Sequence, residues 1–386
     1  MKTNKYVILK KINMFLMSIF VLMLLITPND PFNIIKACFL LLLLVNYNLI
    51  LKSLYYIKDV SIFFYGFIFP ILLFIFSVII GGSVENSLAG VYFFIFLLLI
   101  FPLVKYEINY QKILLCGLLF VSAMTITFAL FDLLNIIPMY KNPILNYLYF
   151  NGNVSIGKGM QFPMYYLLRF NSSPLLVFFV GYSLYKRNLL YIFIAFLASI
   201  LSGTRVNILA PFIILFLFVI FIYNIRSKYR YMIILLILTL FSLMIYFLYP
   251  FIFDMFQRKA SSDAIRNLYY LSYFKLFSNI DIVLFGQGFG AFFYSYGREQ
   301  FTSTAELAYW EFIRQFGLIN FIVFLLFLLI PILKLYRIKE ARWILISYFV
   351  YLLISYYNPN LYNSLSFLVY LLMYYSLFSF KKVKHC

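Results

Sequence analysis

Arginines placed beside apolar runs are the first residues in this chain whose chemistry asks for an explanation. Arg205 ends Ser202-Gly203-Thr204-Arg205, a turn between two apolar stretches that carries a cation and no acid. A guanidinium next to hydrocarbon is expensive and is usually kept for a partner. Its planar fork matches phosphate oxygens. The competing reading is an arginine that snorkels into lipid headgroups and anchors a helix end. Arg258 and Arg266 lie close to an expected membrane surface, where a lipid-linked phosphate would sit. Asp254 and Asp263 are near them, so exposed ion pairs of small consequence are the plainer reading of Arg258.

Glu306 is a candidate general base at that surface. It also stands in Ser303-Thr304-Ala305-Glu306, a Ser-x-x-Glu spacing that reads as a capping box at a helix start. The two roles are compatible, because a base held by a cap is also oriented. Tyr309 and Trp310 suit the face of a sugar or an interfacial aromatic belt. Phe285-Gly286-Gln287-Gly288-Phe289-Gly290 is glycine-rich, but no βαβ unit surrounds it, which excludes a dinucleotide fingerprint. Its amides suit an anion cradle; a sharp turn back to the membrane is the plainer reading. The single histidine is His385 and the three cysteines are Cys38, Cys116 and Cys386. No metal spacing, disulfide framework or histidine-activated nucleophile follows from these. The sequence calls for no metal and no cofactor.

The elements that must position these groups are membrane helices. Of 386 residues, 65% are hydrophobic and only 11% charged, under half the charge of a soluble domain. A soluble enzyme is excluded. A spanning helix needs about 20 apolar residues, since lipid offers backbone amides no partners. Hydropathy places spans near 12–28, 33–51, 60–80, 89–104, 113–133, 173–185, 188–201, 206–224, 231–250, 316–333, 342–358 and 361–379. The expected fold is therefore an all-α polytopic integral membrane protein, a single domain over 1–386 with about 12 transmembrane helices. The first span follows four lysines but lacks a small-residue cleavage site, so it reads as a retained helix.

The net charge of +19 would suggest a polyanion partner in a soluble chain. Sorted by side, it records topology instead. Twenty basic residues against Asp59, Glu107 and Glu340 fall on one side; ten against nine acids fall on the other; Lys36 lies inside the second span. The positive-inside rule then puts both termini in the cytoplasm and argues against a nucleic-acid partner. Two external loops are too long for turns, 134–172 and the large loop 251–315 between spans 9 and 10. Within the second, Ile265, Leu268, Leu271 and Leu276 beside Arg266 and Lys275 suit a helix lying on the membrane surface.

In this order the features resemble the O-antigen polymerase and O-antigen ligase superfamily of bacterial membrane glycosyltransferases. Ser202-Gly203-Thr204-Arg205 before an apolar span is similar to that family's Ser-Gly-x-Arg element. Arg266, Tyr273-Phe274-Lys275-Leu276-Phe277 and Leu284 through Gly290 resemble its arginine and Gly-x-Gly stretch after the ninth span. Glu306 through Gly317 has the spacing of the segment that opens the tenth. The likeness covers about residues 200–335. It implies a multi-pass protein of the bacterial inner membrane that acts on a polyprenyl-diphosphate-linked oligosaccharide among membrane lipids, with a chain-length regulator as a candidate partner. It implies that Arg205 and Arg266, with Arg258, Tyr309 and Trp310 as further contacts, hold the donor, and that a base such as Glu306 serves the acceptor hydroxyl. The ligase branch carries a histidine where this chain has Glu306, which favours a polymerase. A ligase-type transferase and a flippase without chemistry are the alternatives.

Overall fold

The long apolar runs fold as helices, because a helix satisfies its own amides without help from solvent. In a computed structural model, the described residues are 2–55, 60–158, 166–222, 239, 264–303, 307–357 and 361–383. Five long helices come first: α1 (Lys2–Ile26), α2 (Ile34–Tyr55), α3 (Val60–Ile80), α4 (Val84–Lys105) and α5 (Tyr110–Leu133). The short α6 (Pro143–Phe150) and an antiparallel hairpin, β1 (Val154–Lys158) with β2 (Tyr166–Phe170), follow. Next come α7 (Leu176–Lys186), α8 (Leu189–Leu201) and α9 (Arg205–Phe221). A small lobe holds α10 (264–276), α11 (Ile280–Phe285) and the hairpin of β3 (Phe293–Ser295) with β4 (Gln300–Thr302). The chain returns to the bundle in α12 (Ala308–Leu335), α13 (Arg342–Tyr357) and α14 (Ser364–Val383).

Eleven of the twelve expected spans coincide with helix, and the ninth, 231–250, lies outside the described residues except for helical Thr239. Among the described residues, six helices, α1 to α5 and α12, are long and apolar enough to cross a membrane. The chain is thus a helical membrane protein. With 11 and 13 residues, α7 and α8 extend only about 16 and 20 Å, short of a hydrocarbon core of about 30 Å.

The start of α1 and the end of α14 lie at one end of the bundle. Tyr6 of α1 donates to the Lys105 carbonyl (3.2 Å), and Phe378 of α14 lines a groove with Val104 and Glu107. The opposite end carries the two hairpins; there the Asn29 side chain donates to the Asn151 carbonyl (2.7 Å) and Ser172 to that of Leu25 (2.6 Å). Between the ends, α14 is the central helix, with Phe367, Tyr370 and Tyr374 all buried against Phe94 of α4 and Phe324 and Phe327 of α12. Pro331 has no N–H to offer the Phe327 carbonyl one turn earlier. The Tyr374 hydroxyl donates to that carbonyl instead, at 2.9 Å, so the proline is tolerated deep in the core.

Two spans depart from α geometry. α3 has a π-turn over Phe64–Ile68, and α4 runs as a 3₁₀-helix over Tyr92–Leu99. The two irregular stretches pack on each other, with Leu97 and Leu98 against Gly66.

Lys36 lies inside the second span, which runs over Ile34–Lys52. It occupies the first turn of α2 at the hairpin end, because Asp30 caps that helix: its carboxylate accepts from the amides of Ile35 (2.9 Å) and Lys36 (3.1 Å). Much of both long loops is ordered, the first as α6 and the β1–β2 hairpin, the second as the lobe. Residues 308–315, expected as loop, are already the first turns of α12.

Candidate functional site

The turn Ser202-Gly203-Thr204 stops α8 and starts α9. Gly203 adopts φ +66°, and Arg205 is the first residue of α9. The first amides of a helix have no partner within it, and here the side chain of the N-cap residue, Thr204, makes no capping hydrogen bond. Thr204 is 8% exposed and its hydroxyl has no hydrogen-bond partner. One turn further, the Asn207 amide nitrogen donates to the Ser202 hydroxyl (3.2 Å), while its buried oxygen Oδ1 has none. An uncapped helix N-terminus that also carries a guanidinium is built for an anion.

Arg266 is brought to the same end of the bundle through α13. At the terminal end Arg342 of α13 donates to the Phe221 carbonyl, the last residue of α9 (3.3 Å). The two helices pack side by side with similar lengths, 17 and 16 residues, so Arg205 is level with the far end of α13. There Tyr356 is hydrogen-bonded to Tyr270 of α10 (3.2 Å), one turn from the half-buried Arg266. On α10, Tyr269, Ser272 and Tyr273 face inward, whereas Ile265, Leu268 and Leu271 are exposed. These are three of the four residues of the expected apolar stripe; the fourth, Leu276, packs against the buried cluster of the lobe.

The remaining candidates behave differently. Arg258 and Glu306 lie outside the described residues. α12 begins at Ala308 with Leu307 as its N-cap, and Thr304 to Glu306 of the capping-box spacing lie outside the described residues. Tyr309 packs into the bundle, donating to the Leu352 carbonyl (3.1 Å) and meeting Phe321 edge-on. Trp310 sits among the rings of Tyr270, Tyr273 and Phe277. Both aromatics hold the lobe against the bundle, because they stand one residue apart on a helix wedged between the two.

The glycine-rich turn is not an anion cradle. Gln287 and Gly288 donate to the carbonyls of Arg314 (2.7 Å) and Gln315 (3.0 Å), and Phe289 donates to Ser77 Oγ (2.6 Å). Gly288, at φ +86°, lies so close to the α3–α4 turn that a Cβ would stand 2.7 Å from the Ser77 carbonyl. Gly317, at φ +80° and ψ 166°, breaks α12 where the turn presses on it.

Beside the break lies a buried polar centre that the sequence reading passed over. Arg314 is fully buried and Glu311 is 2% exposed. Arg314 Nη2 meets Glu311 Oε1 at 2.7 Å and its Nε meets Oε2 at 2.9 Å, a bidentate pair. Its other N–H groups reach Gln287 Oε1 (3.1 Å) and the carbonyls of Ala291 (2.9 Å) and Ser303 (2.8 Å). All five guanidinium donors are thereby occupied. The carboxylate also accepts from the Tyr273 hydroxyl (2.8 Å) and the Gln315 amide (2.6 Å). Burial, then the Glu311 charge, pushes the Tyr273 phenol far above its ordinary pKa, so it stays a donor. The spacing Glu-x-x-Arg was the available signal, but both residues looked like ordinary external charges.

No protein-family model, characterised protein or solved structure matches this chain.

Proposed function

We propose that this protein is a membrane glycosyltransferase of the O-antigen polymerase type, with about twelve spans, both termini cytoplasmic and the hairpin end facing outward from the bacterial inner membrane. The observation that carries the reading is the α9 N-terminus, where Arg205 is the first helical residue and the buried hydroxyl of the N-cap Thr204 has no partner among the described residues. Its chemistry suits a diphosphate. In the reaction, an acceptor hydroxyl oxygen attacks the anomeric carbon of a polyprenyl-diphosphate-linked oligosaccharide, and the bond from that carbon to the phosphate oxygen breaks. The diphosphate leaves with the electron pair, and the hydroxyl proton passes to a base, for which Glu306 is the candidate. Arg205 and Arg266 stabilise the charge that grows on the leaving group.

The discriminating variant is Thr204→Val. A hydroxyl without a partner in the resting protein adds nothing to its stability, so this substitution leaves the folded yield unchanged. It lowers polymer formation from purified lipid-linked repeat unit if the hydroxyl binds substrate. Arg205→Ala and Arg266→Ala abolish long chains. Wild-type chain lengths in all three variants would refute the site. A second reading, a lipid translocator, draws on the paired π and 3₁₀ stretches of α3 and α4, since transporters use interrupted helices. Elongated product in the same reconstitution excludes translocation without chemistry.

A further inference from the structure

The lobe turns large apolar side chains outward where a water-facing domain carries charge. Phe292 and Phe301 are 68% and 69% exposed, and Phe274 and Ile280 are nearly as open. Single exposed apolar residues are ordinary, but a group of them marks a surface that something covers. The depth of the lobe in the fold says what covers it. Phe285, the last residue of α11, packs on Phe76 of α3, with ring centroids 6.3 Å apart. Phe76 lies one turn inside the end of α3 at Ile80, about 6 Å down the helix. Leu72, Ile75, Phe76 and Ile79 recur at helical spacing on one face of α3, and Leu72, Ile75 and Ile79 are exposed. That stripe is the one a span turns to lipid, so α11 reaches below the bilayer surface.

The hairpin of β3 and β4 is sided for lipid too. Side chains alternate across an antiparallel pair, and a soluble hairpin keeps its outer face polar. Here Phe293 and Thr302 are buried, while Tyr294 and its cross-strand partner Phe301 meet edge-on outside, rings 5.6 Å apart. Toward the hairpin turn the character changes. Lys275 Nζ stands 4.1 Å over the ring of Tyr296, a phenol and a cation of the kind that suits headgroups. Arg298 and Glu299, at the turn itself, are exposed charges.

We infer that the bilayer leaflet at the hairpin end is the partner of this face: α11, Phe292 and Phe301 enter hydrocarbon, Tyr294, Tyr296 and Lys275 lie among headgroups, and Arg298 and Glu299 stay in water. The inference is independent of the reading of the α9 end. A soluble protein cannot reach Phe285 against the lipid stripe of α3. The order of phenyl, phenol and charge along the hairpin matches the polarity profile of a bilayer.

The test uses the full chain with Cys116→Ser and Cys386→Ser, in which the buried Cys38 stays unlabelled. Phe292→Cys, Phe301→Cys, Arg298→Cys and Ile79→Cys each carry a nitroxide in phosphatidylcholine nanodiscs. All four positions are exposed, so the labels displace no packed atoms. Spin relaxation is read with oxygen, which concentrates in hydrocarbon, and with a nickel chelate, which stays in water. At the Phe292 and Phe301 positions oxygen dominates, as it does at Ile79, and places both labels about 5–10 Å below the headgroup boundary. At the Arg298 position the chelate dominates. Chelate dominance at Phe292 and Phe301 overturns the inference. Shielding of both from either agent also overturns it, and assigns the face to a second copy of the chain or to another protein.

Discussion

Replacing Arg314 with methionine removes the charge and keeps most of the volume. The carboxylate of Glu311 then loses its bidentate partner, and Gln287, Ala291 and Ser303 lose their donors. Breaking one side of a buried ion pair costs about 3–5 kcal/mol. Tyr273 and Gln315 still donate to Glu311, which holds the carboxylate cost toward the lower figure; the three orphaned acceptors push the total back up. Arg314 contacts the lobe on one side and its own helix on the other, so the loss falls on local detachment of the lobe. At about 1.4 kcal/mol per decade, amide exchange over 285–303 accelerates by two to three and a half decades. Peptides from α5, which has no part in the network, exchange at their former rate. Hydrogen exchange with mass spectrometry on the purified protein reads both. The double variant Glu311→Met with Arg314→Met recovers part of the loss, because removing both charges leaves no buried carboxylate. Exchange in Arg314→Met within about threefold of wild type, or a double variant worse than the single one, would refute the account of this centre.

Other consequences are checked more simply. Gly317→Ala places a Cβ against the Leu284 carbonyl at a left-handed φ and reduces folded, monodisperse protein by size-exclusion chromatography; Gly81→Ala, left-handed but with open space around it, costs only about 1–2 kcal/mol. Ser77→Ala strands the Phe289 amide and lowers stability by about 1–3 kcal/mol, seen as a lower melting temperature. Tyr309→Phe removes a bond to the Leu352 carbonyl, costs about 1 kcal/mol and leaves polymer length unchanged; a large activity loss with unchanged stability would restore Tyr309 to the substrate site. Glu306→Gln abolishes polymer if that carboxylate is the base, and wild-type polymer removes it from the mechanism.

The spans were legible because an uninterrupted apolar run leaves a backbone one solution. Val60–Ile80 was bounded correctly by hydropathy alone, yet nothing in it announced the π-turn, which depends on how Leu97 and Leu98 press on Gly66. Arg205 was legible as an unusual cation; that its helix start is uncapped was not, since Thr204 is a residue type that normally caps. Glu311 and Arg314 were passed over because charge counting cannot tell a solvated pair from one sealed by side chains and carbonyls of another element, such as Tyr273, Gln287 and Ala291.

The seat of the glycine-rich turn has a consequence for the order in which the chain assembles. Residues 286–290 rest on Ser77 and Gly82 from one side and on Gln315 and Gly317 from the other. The first wall is made early in synthesis and the second only after the turn itself has emerged, so the lobe has no complete mould until α12 is threaded into the bilayer. During that interval its aromatic residues Tyr269, Tyr273 and Phe293 must wait uncovered at the membrane surface. Biogenesis of this protein therefore has a late, long-range closing step, and truncation before Arg314 yields an inserted bundle bearing an unfinished lobe.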